Sequence, residues 1–265
     1  MKYRDKVVWI TGASSGIGEA LAYAFRREGA NLILSARRLA ELERVKKNNV
    51  IGSGFVHLAD FDISRFDEVN DIAEDVTRKF DRIDLLINNA GVAQRAKIVD
   101  TNIEIYQQIM QVNFFGAVAL TKAILPLMMR LNSGHIVFTG SPAGIFSTPL
   151  RSGYSASKHA VHSFSDSLSS ELANTNINVT NVIPGPIRTN MSISSLTGDG
   201  KKYDIMDRFM ATGISPSLCA EKILKGILKK KKRILVVNSE VRKMIFLKQY
   251  FPAYFLKLSE QFAPK

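Results

Sequence analysis

Val7-Val8-Trp9-Ile10-Thr11-Gly12-Ala13-Ser14-Ser15-Gly16-Ile17-Gly18 carries the decision about fold: an apolar run passes into a glycine-rich turn and then into the amphipathic pattern Ile17–Glu28. Apolar residues in succession, without polar alternation, read as a strand buried on both faces. Glycines allow the tight turn and let backbone N–H groups approach a pyrophosphate at the positive end of the helix. A glycine turn alone also serves purely structural ends. Its place between strand and helix is what points to a dinucleotide.

Outward from this turn the pattern repeats. Apolar runs Leu32–Leu34, Phe55–Leu58, Leu85–Ile87, Ile136–Phe138, Val179–Ile183 and Ile234–Val237 predict further buried strands. Between them Arg65–Phe80, Glu104–Leu131, Tyr154–Ala173 and Ser217–Lys229 carry helical patterns. This alternation implies an α/β fold, a doubly wound, mostly seven-stranded parallel sheet. Val112–Met129 is apolar enough to suggest a membrane span, but Asn113, Thr121, Lys122 and Pro126 interrupt it, which favours a buried or interface helix.

The chain has 265 residues, 46% hydrophobic and 9% aromatic, enough for one large domain with a substantial core. The charged start Met1–Lys6 runs straight into the first strand, so no secretory signal is expected. Cys219 is the single cysteine, which excludes internal disulfides, and four scattered histidines form no metal cluster with it. His159 and His162 share a helix face and are read as solvated. These features fit a cytoplasmic location.

Tyr154 and Lys158 stand four apart on a predicted helix and therefore on one face. An ammonium beside a phenol favours the phenolate and brings general acid–base chemistry within reach. The same spacing also occurs in ordinary surface pairs. The second strand ends in Ser35-Ala36-Arg37-Arg38, where an acid would hold a free ribose and an arginine would pair with the extra phosphate of NADP. The acid is missing, so NADP(H) is favoured. Asp60, Asp62 and Asn88-Asn89-Ala90-Gly91 follow later strands and suit turns as well as ligands.

Taken in order, Gly12, Gly16 and Gly18, Asp62-Ile63, Asn88-Asn89-Ala90-Gly91, Asn113, Ser141, Tyr154 with Lys158, and Pro184-Gly185 ahead of Thr189 resemble the short-chain dehydrogenase/reductase family over about residues 5 to 190. The resemblance implies a Rossmann-like domain with substrate above the carboxyl ends of the strands. It makes Asn113, Ser141, Tyr154 and Lys158 the catalytic residues. Tyr154 is then the general acid in reduction, and Ser141 hydrogen-bonds the substrate oxygen. Lys158 binds the nicotinamide ribose and lowers the phenol's pKa, and Asn113 holds a water linking Lys158 to solvent. Cofactor contacts are expected from Gly12, Ser14, Ser15, Gly16, Ile17, Gly18, Arg37, Arg38, Asp62, Ile63, Asn89, Ala90, Gly91, Tyr154, Lys158, Pro184, Gly185, Ile187 and Thr189. Substrate contacts fall to Ser141 and Tyr154, and no metal is expected. Pro142 departs from the small polar residue many relatives carry there.

Residues 1–240 are read as the dinucleotide-binding and catalytic domain, and 241–265 as its amphipathic extension. From Lys225 to Lys248 nine basic residues face one acid, Glu240. Leu247, Phe251, Tyr254, Phe255, Leu258 and Phe262 follow at helical spacing, with Pro252 opening a second helix. Such a segment either lies on an anionic membrane or packs on protein. This ending resembles the steroid, retinoid and lipid-ketone reductases of the family. Residues 190–216 read as a lid with apolar members Met191, Ile193, Leu196, Ile205, Met206, Phe209 and Met210, which favours a lipophilic carbonyl substrate. A carrier-bound 3-oxoacyl substrate and a non-catalytic nucleotide sensor stand as alternatives. A homodimer or homotetramer is expected from the resemblance.

Overall fold

Side chains along strand β1 (Val7–Thr11) alternate: Val8 and Ile10 enter a core on one face of the sheet, Val7 and Trp9 a core on the other. This is why the run is apolar throughout. The remaining strands are β2 (Asn31–Ala36), β3 (Val56–Asp60), β4 (Leu85–Asn88), β5 (Gly134–Thr139), β6 (Ile177–Pro184) and β7 (Arg233–Val236). They form one parallel seven-stranded sheet in the order β3-β2-β1-β4-β5-β6-β7. The computed structural model describes residues 1–49 and 51–262. Residues 263–265 of the expected extension, and the side chain of Phe262, lie outside the described residues.

The helices are α1 (Gly16–Arg27), α2 (Leu39–Asn48), α3 (Phe66–Lys79), α4 (Ile103–Met110), α5 (Gly116–Arg130), α6 (Ser152–Glu171), the short α7 (Arg208–Ala211), α8 (Pro216–Leu228), α9 (Ser239–Tyr250) and α10 (Pro252–Ser259). Leu21 of α1, Leu42 of α2 and Ile223 of α8 fill the first core; Val69 of α3, Leu120 of α5 and Val161 of α6 fill the second. Sequence patterning did not mark α2, because only Leu42 and Val45 of its ten residues are buried and the rest are largely charged. Helix α1 carries Glu19 in its first turn and Arg26 and Arg27 in its last, matching the helix dipole, and the chain leaves it through Gly29 at φ +86°.

The predicted helix Glu104–Leu131 is a 28-residue helical run, Ile103–Arg130, broken in the middle by a π-helical turn at Gln111–Phe115. It is long and apolar enough to cross a membrane, yet Ile109, Leu120, Ile124 and Met128 are fully buried inside the protein. Strand order reverses between β1 and β4, so a crevice opens at their carboxyl ends, Thr11 and Asn88. Beyond β7, Val241 of α9 and Phe255 of α10 bury themselves against Phe146, with the two rings 5.5 Å apart.

Candidate active site

A cleft of about 1700 Å³ follows the carboxyl edge of the sheet. Every residue expected from the sequence to touch cofactor or substrate lines it except Gly18, which packs against the Gly12 carbonyl; of the four expected catalytic residues only Asn113 is not in the lining.

At one end lies the glycine turn. Gly12 and Gly16 have φ of +63° and +59°, a conformation L side chains rarely adopt. A Cβ on Gly18 would fall 2.2 Å from the Gly12 carbonyl oxygen, so only glycine lets the helix approach this closely. Ser15 caps α1 without a side-chain hydrogen bond, leaving the first amides of the helix to an external acceptor. The Thr11 hydroxyl accepts from the Asn89 and Ala90 amides (3.0 and 3.1 Å), and Asn89 Nδ2 donates to the Thr11 carbonyl (3.0 Å). Asn89 therefore ties β1 to β4, and Ala90 and Gly91 form the cleft floor. Thr189 closes the turn from above, its Cγ2 3.2 Å from where a Gly16 Cβ would stand.

Arg37 and Arg38 project at the end of β2, and Arg37 Nη1 lies 3.9 Å from Asp62 Oδ2. Asp62 also accepts from the Ser64 amide and hydroxyl. Arg44 of α2, not singled out in the sequence, reaches across to the Ser14 carbonyl (3.0 Å) and to Glu19 (2.8 Å). It braces the glycine turn from the side where a nucleotide's adenosine half would lie. This dinucleotide-sized cleft, with its glycine cradle and uncapped helix start, fits a nicotinamide cofactor.

Ser141, Tyr154 and Lys158 meet farther along. Ser141 caps a 3-10 turn, Pro142–Gly144, its hydroxyl accepting from the Ala143 amide at 3.1 Å. Pro142 occupies the first position of that turn, where a missing N–H costs nothing and φ is already set. Tyr154 and Lys158 lie one turn apart on α6, both buried, with Lys158 Nζ 5.8 Å from the Tyr154 ring centre. Burial pushes the Tyr154 phenol up, opposed by the neighbouring Ser141 hydroxyl and then by the Arg151 charge. Burial likewise pushes Lys158 down to about 8. Its Nζ donates to the Thr139 carbonyl at 2.8 Å.

Asn113 sits inside the π turn, a feature that re-aims side chains and often marks function. Its Oδ1 accepts from the Val92 amide (2.8 Å) and its Nδ2 donates to the Val92 carbonyl and the Ser157 hydroxyl (2.9 Å each). A Cβ on Gly91 would stand 3.2 Å from Asn113 Oδ1 and 3.6 Å from Lys158 Nζ, so the two groups flank one point.

His162 corrects the sequence reading. It is buried rather than solvated, because α6 turns its Lys158–His162 face toward the turn that follows β5 and toward β6. Its Nε2 accepts the Ser141 amide at 3.3 Å. Burial, with Lys158 next, holds it down to about 4, so the ring is neutral and its proton is on Nδ1. Gly140 and Gly144 make room for the ring, since a Cβ on either would lie within 3 Å of it. The amino end of α6 has no cap of its own; the buried Gln94 supplies one, Oε1 accepting the Gly153 amide at 2.8 Å. Gln94, Arg44 and His162 escaped the sequence reading because each acts on a partner at least 21 positions away.

The substrate half of the cleft is walled by Phe146, Leu150, Met191, Leu196, Phe209, Met210, Val241, Met244 and Phe255. Four of the seven apolar lid residues named from the sequence are among them; Ile193, Ile205 and Met206 are not. The C-terminal face divides. Phe255 and Leu247 pack inward, while Phe251 and Tyr254, joined by Phe246 and Tyr250, stay more than half exposed.

Residues 6–199 match the family model described as short chain dehydrogenase. The chain is 45% identical over 267 residues to dehydrogenase/reductase SDR family protein 7-like of Drosophila melanogaster, covering 98% of this chain and 81% of that protein. Its fold superposes with a TM-score of 0.83 on a short chain dehydrogenase/reductase from Burkholderia phymatum in complex with NAD, at 23% identity and covering 100% and 98% of the two chains. An alcohol dehydrogenase from Thermococcus sibiricus complexed with 5-hydroxy-NADP gives 0.74 at 25% identity, covering 88% of this chain and 96% of that one.

Proposed function

The chain belongs to the short-chain dehydrogenase/reductase family and is an NAD(P)-dependent oxidoreductase acting on carbonyl or alcohol groups; from that premise we propose that it reduces a lipophilic ketone or aldehyde with NADPH, using Tyr154 as general acid. One observation carries the reading: Ser141, Tyr154 and Lys158 converge in the same cleft whose substrate half is walled by apolar side chains from the lid and C-terminal helices. Residues 241–265 belong, on this reading, to the same domain, as the Phe255–Phe146 contact supports.

A nicotinamide cofactor, held by the Gly12–Gly18 turn and the Asn89–Gly91 floor, would supply the hydride. The Ser141 hydroxyl holds the substrate oxygen, and Tyr154 gives that oxygen its proton. Burial favours the protonated phenol at neutral pH, which is the form a proton donor needs. Lys158, held by the Thr139 carbonyl, keeps a proton beside the phenolate left behind and stabilises its charge. Asn113, its side chain committed to Val92 and Ser157, holds the π turn against the cleft floor and carries the water that links Lys158 to solvent. The test is NADPH consumption across a panel from small aldehydes to 2-decanone, steroid and retinoid carbonyls. Rates rising with apolar size support the reading; preference for the small polar members overturns it.

NADP preference rests on Arg37 and Arg38, since no acid ends β2. Hydrogen bonds to a charged group contribute about 1.5–3 kcal/mol, so Arg37→Ala should weaken NADPH by about ten- to hundredfold and NADH by far less. Equal losses in a binding titration remove Arg37 from that role.

The exposed Phe246, Tyr250, Phe251 and Tyr254 share α9, α10 and their junction with Lys243, Lys248 and Lys257, a surface suited to anionic lipid. Because Val241 and Phe255 wall the cleft, truncation would damage the substrate site. Replacing Phe246, Tyr250 and Phe251 together by serine is the cleaner test. The triple variant should lose most of its sedimentation with phosphatidylserine vesicles while retaining turnover of a soluble carbonyl; undiminished sedimentation would sink the lipid contact.

A further inference from the structure

Helix α7 closes over the substrate half of the cleft with little apolar anchorage: none of its residues is buried, and Phe209 is 50% exposed. The first part of the lid is fixed differently, by the Arg95 amide donating to the Leu196 carbonyl and the Leu196 amide to the Ala93 carbonyl, each at 2.8 Å. Beyond its carboxyl end the chain is held by Ile214, which bonds Pro186 and Arg188; at the amino end the tie is Asp207, whose amide donates to the Ser192 hydroxyl at 3.2 Å and whose carboxylate does the rest. Oδ1 accepts the Phe209 amide at 2.8 Å, while Oδ2 meets Arg95 Nη1 at 2.5 Å and Arg151 Nη2 at 3.2 Å. The Arg95 guanidinium also stacks over Tyr203 of the lid at 5.2 Å. One carboxylate oxygen thus joins three segments: the lid, the loop after β4, and the first turn of the tyrosine helix. All three side chains are at least 74% buried, so the contacts are less screened than surface pairs.

Arg151 lies three residues before Tyr154, and its charge acts on the phenol. We propose that Asp207 is a positioning residue: through Arg95 and Arg151 it latches α7 over the substrate and screens the Arg151 charge from the Tyr154 phenol. The latch rests on the reading of Tyr154 as acid–base group. Opening it would bare the cleft and strengthen the positive field at the phenol together, so lid position and proton affinity change as one. Outside the glycine-turn end, the same cleft is also lined by the charged Lys158, Arg188, Lys202 and Glu240, and substitution at Asp207 leaves each in place. Burial opposes ionisation of Asp207, but the Phe209 amide and then the two arginines outweigh it and hold the carboxyl below its usual range. It is therefore charged wherever the enzyme works.

Asp207→Asn is the informative variant, because asparagine caps a helix as well as aspartate while carrying no charge. Limited trypsin digestion at Lys201, Lys202 and Arg208 should run about tenfold faster than in the wild type, since local opening governs cleavage. In the oxidation of 2-decanol with NADP, the rising limb of the pH profile should move to lower pH by about half a unit, because a less neutralised Arg151 favours the phenolate. Asp207→Glu should restore both. Unchanged cleavage overturns the latch. Faster cleavage with an unmoved limb overturns it as well, leaving Asp207 a structural tie. Tyr154→Phe separates the two claims: if it retains turnover, the acid–base reading has failed; if it is inactive and Asp207→Asn keeps the wild-type limb, the latch alone has failed.

Discussion

Tyr154→Phe is expected to lower kcat for carbonyl reduction by about 10²–10⁴-fold, the usual contribution of a positioned proton donor. The substitution removes one hydroxyl from a buried ring and leaves its packing on α6 intact. NADPH affinity should therefore stay within about tenfold, the worth of at most one neutral hydrogen bond. Single-turnover rates and an independent fluorescence titration measure the two quantities separately. Turnover retained within tenfold would mean that another group delivers the proton. No other side chain is as well suited, since the Ser141 hydroxyl is a far weaker acid than a phenol and Lys158 Nζ is turned to the Thr139 carbonyl.

Lys158→Met should remove turnover by about a hundredfold or more and at the same time stabilise the fold. In the folded protein burial pushes the ammonium down to about 8, whereas in the unfolded chain it titrates near ~10.4. The folded value is depressed, so below pH 8 the native state carries an unfavourable buried charge, a penalty of about 3 kcal/mol at pH 7. Methionine removes it and forfeits the bond to Thr139, worth about 1 kcal/mol, for a net gain of about 2 kcal/mol. Between pH 8 and about 10.4 the unfolded wild type binds a proton that the native state does not. Wild-type stability therefore climbs with pH relative to the variant, and the advantage of Lys158→Met disappears and then reverses by the about 1 kcal/mol of the lost bond. Urea unfolding of both proteins at pH 7 and pH 10 reads this difference directly. A variant no more stable at pH 7, or a difference independent of pH, would show that the ammonium is not desolvated as its position implies.

Both predictions concern residues whose importance is visible in the chain, and the reason is periodicity. A four-residue spacing fixes Tyr154 and Lys158 on one face of any helix, and a glycine-rich turn after an apolar run fits few structures besides this one. The strands were legible for the same reason: in a parallel sheet covered on both sides every residue of Val7–Ile10 must be apolar, as Val8 and Ile10 face one core and Val7 and Trp9 the other. Helix α2 was not legible, since its two buried residues leave no stripe. The π turn at Gln111–Phe115 was not either, because one extra residue in a helix leaves the hydrophobic spacing on each side unchanged.

Residues that act across the fold were hidden altogether. Gln94 caps the helix of Tyr154 from 59 positions away, and Asp207 meets Arg95 and Arg151 at separations of 112 and 56. His162 looked like a surface histidine until the Gly140–Gly144 turn was packed against it. The C-terminal aromatics carried an amphipathic pattern, but only packing could assign Phe255 to the cleft wall and leave Tyr254 exposed. Local order in the chain thus determined the α/β sheet, the glycine turn and the Tyr154–Lys158 pair, since each depends on backbone geometry within a few residues. Tertiary structure alone decided the Asp207–Arg95–Arg151 contacts, the burial of His162 and which of the apolar residues wall the cleft. Those depend on which distant surfaces meet, and on charges whose strength is set by how much water the meeting excludes.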